Sequence, residues 1–251
     1  MGLFEKKFCD ICSDKIGILG NRKLENGNLC GKCAKLLSPF FGERRRSTVE
    51  DIKNQLAYRE ENKKAVAAFN TTRALGRGTK VLLDEDKGKF IVSAARKLED
   101  ENPDVINFSQ VTGCNIDINE NKTEQKQKDA EGKSVSYNPQ RFTFSYDFNI
   151  IINVNTPWFN EIRFRLNSST IKIEPPPDVN GQEFARRNTE YLEHDALARE
   201  IRDVLTQVRQ NVRDNAAAAN TPKTAQKCTQ CGATSIPDDH GRCEYCGGAL
   251  A

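Results

Sequence analysis

At 251 residues the chain has room for one or two domains, yet its apolar share of 37% lies below the roughly 45–50% usual for globular proteins. One large apolar core is therefore not expected, and small metal-stapled modules fit the deficit, because a bound ion replaces core that a short segment cannot build. The 38 basic and 35 acidic residues nearly balance, which removes any whole-molecule signal for nucleic acid, and nowhere do about 20 apolar residues run together to span a membrane.

The opening "MGLFEKKFCD" lacks the apolar run of a signal peptide. Gly2 invites N-myristoylation, but Lys6 stands where Ser or Thr is wanted. A cytoplasmic, reducing setting is expected, in which thiols bind metal more readily than they form disulfides.

The first quartet, Cys9, Cys12, Cys30 and Cys33, is spaced C-x2-C-x17-C-x2-C. Two intervening residues let both thiolates of a pair face one tetrahedral centre, and the longer gap lets a hairpin return the second pair. That spacing reads as a structural zinc site. An iron–sulfur cluster also takes four thiolates, and spacing alone does not separate the two. Within the quartet "ENGN" (25–28) is a turn.

"LLSPFFGERRRS" (36–47) reads as a linker with a basic knot, Arg44, Arg45 and Arg46. "STVEDIKNQLAYREENKKAVAAF" then has a Ser/Thr cap and early acids, a helix start; about five turns join the ribbon to the body. "TKVLLDEDKGKFIVSAA" predicts a hairpin. Its turn departs from a calcium loop, with glycine one place early and Ala95 where the final Glu belongs. "DVINFSQVTGCNIDINE" supplies two more strand candidates, with Cys114 as a lone buried thiol. The polar stretch "NKTEQKQKDAEGKSVSYN" predicts an exposed, mobile loop.

In "RFTFSYDFNIIINV" the residues Phe142, Phe144, Tyr146, Phe148, Ile150 and Ile152 alternate without a break, which places them on the inward face of one long strand. "EIRFRL" and "TIKIE" follow as strands, and "PPPD" ends the ladder. About seven antiparallel strands predict a small barrel. Residues 182–216 predict one amphipathic closing helix, and "AAAANTPKTAQK" a linker.

The second quartet, Cys228, Cys231, Cys243 and Cys246, is spaced C-x2-C-x11-C-x2-C, with Gly232 and Gly247 directly after each pair. His240 lies inside the loop and could replace a cysteine, but with four thiolates available it reads as a surface histidine. Four thiolates around a divalent ion carry about −2, so two such sites turn the formal +3 into about −1.

The fold class expected is therefore α+β and multidomain: two zinc ribbons flank a small antiparallel β barrel with a long closing helix. The divisions are a ribbon over 1–47, a connecting helix over 48–70, a body over 71–216, a linker over 217–227 and a ribbon over 228–251. The segments "FCDICSDKIGILGNRKLENGNLCGKC", "FNTTRALG", "KVLLDEDKGKF" and "FSYDFNIIINV" resemble an uncharacterised bacterial family. In that family an N-terminal four-cysteine domain precedes a pleckstrin-homology-like β body. The last ribbon looks like the terminal zinc ribbons of many unrelated bacterial proteins. The resemblance implies a platform for peptides or lipid headgroups, and no reaction.

No phosphate loop, H-E-x-x-H helix or G-x-S-x-G elbow occurs, so no enzymatic activity is expected. The leading expectation is a zinc-binding adaptor with two structural Zn²⁺ and another protein as partner. The alternative is nucleic-acid binding through Arg44, Arg45 and Arg46, since residues 1–47 hold ten Lys or Arg against five acids and Phe40 and Phe41 lie close by. Lipid binding is not favoured, because the first hairpin loops carry no basic cluster.

Overall fold

In the computed structural model, which describes residues 6–17, 19–220, 224–238 and 241–250, Cys9 and Cys12 sit in a turn between two-residue strands, as do Cys228 and Cys231. The readings made of Gly2 and His240, and part of the expected linker (221–223), lie outside the described residues. The chain forms two units, 1–209 and 210–251.

The first unit begins with β1 (Lys7–Phe8) against β2 (Lys15–Ile16), then β3 (Arg22–Lys23) against β4 (Asn28–Leu29), and a one-turn helix α1 (Gly31–Ala34). Cys9, Ile16, Leu24, Leu29, Cys30, Cys33 and Leu37 form a small buried cluster. The helix α2 (Val49–Ala67) completes it with Ile52, while Val49, Leu56 and Phe41 pack at its edge. Thr48 starts α2 with a capping box: its hydroxyl accepts from Asp51 N at 3.2 Å, and the Asp51 carboxylate accepts from Thr48 N at 2.8 Å.

The inner face of α2 is polar where a core helix would be apolar. Gln55, Arg59 and Asn62 are buried beside Ile52 and Val66. Arg59 Nη1 donates to Asp104 Oδ1 at 3.0 Å, and its Nε donates to the Leu36 carbonyl at 3.2 Å. Ser38 donates its hydroxyl to Asp104 Oδ2 at 2.7 Å. Asn62 Nδ2 donates to the Pro103 carbonyl, and its Oδ1 accepts from Val105 N. One network thus ties the tail of the ribbon, the helix and the loop 102–105. The stretch 36–47, expected as a linker within the first ribbon, takes part in this packing: Leu37 and Ser38 are buried.

The body contains two antiparallel sheets, neither closed. The first, in order, is β5 (Arg73–Leu75), β6 (Lys80–Asp84), β7 (Lys89–Ser93) and, beyond the one-turn helix α3 (Leu98–Glu101), β8 (Ile106–Asn107). The hairpin β6–β7 lies as the sequence predicts. Asp84 sits at its turn, where the buried carboxylate accepts from the backbone N–H groups of Asn70 and Lys87, at 2.9 and 3.0 Å. That is a capping role for the turn.

The second sheet pairs β9 (Val111–Lys128) with β10 (Ser134–Val154), whose other edge takes both β11 (Glu161–Arg165) and β12 (Ile171–Ile173). The expected barrel is corrected here. A 3-10 turn at Phe108–Gln110 carries the chain from β8 to β9, so the strand of the first sheet stops after two residues and no ladder joins the sheets. Along β10, Phe144, Tyr146, Phe148, Ile150 and Ile152 are buried, five of the six residues expected on the inward face; Phe142, at the outer end, is only half-buried.

The polar loop expected over 121–138 is also corrected. It is the outer end of the β9–β10 hairpin, turning at Asp129–Gly132. Polar cross-strand contacts replace apolar ones: Gln125 Nε2 donates to Thr143 Oγ1 at 2.9 Å, and the Lys122 ammonium sits 3.9 Å from the Phe142 ring centre.

The closing helix is two pieces, α4 (Gly181–Arg186) and α5 (Thr189–Asn220), interrupted at Asn188, whose side chain accepts from Glu190 N at 2.9 Å. Tyr191 of α5 packs edge-on against Tyr146 and Phe148, with ring centres 4.8 and 5.1 Å apart. Ala198, Ile201 and Leu205 continue that buried stripe, while Phe184 and Leu192 are exposed. α5 runs on through the alanines expected to begin a linker.

In the second unit, β13 (Gln226–Lys227) pairs with β14 (Thr234–Ser235), and Arg242 forms a bridge with Ala249.

Candidate metal centres

Three of the four Cys-x-x-Cys pairs adopt the same turn. Cys9 N donates to Asp14 O at 2.9 Å, and Ser13 N to Cys9 O at 2.8 Å. The same two bonds recur as Cys228 N to Ala233 O and Gly232 N to Cys228 O, and again as Cys243 N to Gly248 O and Gly247 N to Cys243 O. The residue after the second cysteine must take a left-handed backbone to close this turn: Gly232 and Gly247 do so at φ 74° and 73°. Ser13 does so at φ 61°, a position where the sequence offers no glycine. The fourth pair differs. Cys30 caps α1, its Sγ accepting from Cys33 N at 3.4 Å, so a helical turn aims Cys30 and Cys33 together.

Within each quartet all four sulfurs lie within 4.8 Å of one another. Cys12 and Cys30 are 3.7 Å apart, Cys228 and Cys246 3.5 Å, and Cys231 and Cys243 3.7 Å. Sulfurs at about 2.3 Å from one tetrahedral ion stand about 3.8 Å from each other, so both quartets fit a single ion with a closed four-sulfur shell. Such an ion would fix the ribbon's turns and leave no position for water or substrate. The hairpins are held in register by other contacts too: Asp10 Oδ2 accepts from Asn28 N at 2.6 Å, and a Cβ at Gly27 would stand 2.5 Å from the Val49 side chain.

The thiols of each quartet are spread in acidity. Burial pushes Cys9 up, but the backbone N–H groups of Cys12, Cys30 and Ile11 outweigh it and bring it to about 7. The Ser235 hydroxyl at 3.5 Å and the Tyr245 N–H hold Cys243 down to about 6. Burial and neighbouring thiols push Cys33 far up. At Cys246 the Gly248 N–H pulls down, but the thiols of Cys231 and Cys228 prevail and push it up to about 12. An ion needs thiolates, so it must displace the protons of the high thiols. Uptake by metal-free protein at neutral pH should therefore release protons at both sites, and affinity should fall as pH falls. An indicator dye in weak buffer reads this; uptake without proton release would mean that groups other than these thiols hold the ion.

The three arginines separate. Arg44 and Arg45 lie on a 3-10 turn and line a cleft with Arg22 and Lys23 of β3, two residues that the sequence reading passed over. Arg46 instead pairs with Glu43 at 3.4 Å. Phe40 packs on Phe159, with ring centres 5.5 Å apart, and Phe41 on the ribbon cluster, so neither stands free as a base-stacking platform. Cys114, expected to be buried, is half-buried; partial burial still pushes its thiol up to about 12, which does not suit a nucleophile. His194 Nδ1 lies 2.8 Å from the Glu190 carbonyl on α5.

No helix among the described residues is long and apolar enough to cross a membrane. No curated protein and no solved structure matches the chain. Residues 7–55 match the family described as Domain of unknown function (DUF4428), a span that takes in the first quartet, its buried cluster and α2 as far as Gln55.

Proposed function

We propose that the chain is a non-enzymatic zinc protein that binds another protein through its ribbons and β body. The observation that carries the reading is the convergence of four sulfurs on one centre at each quartet. A multi-iron cluster spreads its thiolates over several metal atoms, whereas these lie within bonding reach of one ion, which favours zinc. A filled shell gives a rigid small module without Lewis-acid chemistry, and with two histidines in the whole chain acid–base partners are few. A reducing compartment such as the cytoplasm would keep the thiols available.

Rigid tips with exposed apolar side chains suit contact with a protein surface: Leu19 and Leu36 on the first ribbon, Ile236 and Tyr245 on the second. The two sheets with Tyr191 packed on β10 are in keeping with a pleckstrin-like platform, though an open one.

A pull-down with metal-loaded full chain, alongside a chain ending at residue 220, tests this. The expected result is a protein retained by the full chain, lost on truncation, and little changed between about 50 and 200 mM salt. Over that range a contact through six to ten phosphates would lose roughly 10³–10⁵ in affinity. Captured nucleic acid that salt releases would overturn the reading in favour of nucleic-acid binding, the role in which Arg44, Arg45 and Arg46 would contact phosphates.

A further inference from the structure

Two separate stretches of chain bring four cations to one cleft on the first ribbon. The cleft has a volume of about 450 Å³ and is lined by residues 21–25, among them Arg22 and Lys23, and by Arg44 and Arg45. The backbone fixes both stretches. Arg22 and Lys23 pair with Leu29 and Asn28 of β4. The arginine turn is tied back by Glu25 N donating to Ser47 O at 3.0 Å and by Val49 N donating to Asn26 Oδ1 at 2.8 Å.

These cations lack the partners that others have. Arg73, Arg77, Arg163, Arg165, Arg186 and Arg199 each face a carboxylate at 2.8–3.3 Å. Among the described residues, none of Arg22, Lys23, Arg44 and Arg45 has an ion-pair partner within 4.0 Å, and Glu25 is the one acid lining the cleft. Arg44 Nε is shielded without an acceptor, and Asn21 Oδ1 without a donor. Like charges gathered in a concavity focus a positive potential, and guanidinium forks match the oxygens of a phosphoryl group. The aromatic side chains that would stack bases are packed elsewhere, so the arrangement suits a single phosphoryl group rather than a strand.

We propose that this cleft binds the phosphoryl group of a small ligand. The donor set answers to inorganic phosphate or pyrophosphate and to the phosphates of a nucleotide alike. Arg44 and Arg45 clasp the oxygens, Arg22 and Lys23 supply opposing charge, and Asn21 offers an acceptor for a ligand hydroxyl after a small shift. The site is independent of the protein-binding role, and the metal-loaded chain is the right material because a filled quartet contributes about −2 to the charge of the same ribbon.

Calorimetric titration of the full, metal-loaded chain with inorganic pyrophosphate, with a mononucleotide and with a single-stranded oligonucleotide tests the proposal. Pyrophosphate or the mononucleotide should bind, and whichever binds more tightly identifies the source of the phosphoryl group. Arg44→Gln should weaken that binding at least about tenfold, while Arg77→Gln, which removes a cation paired with Glu193 elsewhere, should leave it unchanged. If Arg44→Gln alters metal content or folding, Lys23→Gln, at an exposed strand position, carries the comparison. Absence of binding by both small ligands overturns the site, as does equal weakening by Arg77→Gln, or binding of the oligonucleotide that pyrophosphate does not compete away.

Discussion

Replacing Cys9 with alanine should lower the metal content from two ions per chain to one and unfold the first ribbon. The ribbon has little else to hold it: its strands are two residues long, and Cys9, Cys30 and Cys33 are themselves part of its buried cluster. A structural zinc site contributes about 10–16 kcal/mol in small zinc modules, far more than such a cluster supplies alone. The loss should reach into α2, because Ile52, Val49 and Leu56 pack on that cluster. Amide hydrogen exchange should therefore show residues 7–37 and the first turns of α2 unprotected, with β6, β7 and β10 still protected. Elemental analysis of the same sample gives the ion count, and a Cys9→Ala chain that keeps two ions and a protected ribbon would contradict the assignment.

Replacing Asp104 with alanine should be the most damaging change remote from the metals. The carboxylate is fully buried, its partner Arg59 nearly so, and Ser38 donates to its other oxygen. Removing one member leaves the guanidinium buried and unpaired, at a cost of about 3–5 kcal/mol, whereas Ser38→Ala removes one hydrogen bond at about 1 kcal/mol. Exchanging both members, Arg59→Met with Asp104→Leu, should recover most of the loss. Burial pushes the Asp104 carboxyl above its ordinary value, against the pull of Arg59 and Ser38. The folded chain then holds that proton at a pH where the unfolded chain has lost it. This group's contribution to stability therefore declines as pH rises from the ordinary carboxyl range through the raised value. The apolar pair should lack that decline. Urea midpoints across this range check both expectations, and a single variant as stable as the double would remove the network from the account.

The parts legible in the sequence are those with a strict period or spacing. Two Cys-x-x-Cys pairs close together in the chain point to a four-thiolate metal site, and the alternation from Phe144 to Ile152 marks a strand with one buried face. The 121–138 segment misled because its strands pair through Thr, Gln, Lys and Glu, which leave no apolar rhythm to read. The inner face of α2 was hidden for a related reason. Gln55, Arg59 and Asn62 recur at helical spacing, but nothing in the sequence says that Asp104 and the 102–105 backbone wait opposite. The basic cleft needs β3 and the arginine turn to meet across about twenty residues of chain, a closeness that only folding supplies. The left-handed Ser13 could have been found by aligning the Cys-x-x-Cys pairs with one another, since Gly232 and Gly247 hold the same place.

X-ray absorption at the metal edge of the purified, metal-loaded chain tests the central claim most directly. A zinc edge and a single shell of four sulfurs at about 2.3 Å are expected for both quartets. A shorter oxygen or nitrogen shell, or metal–metal scattering from a cluster, would contradict it.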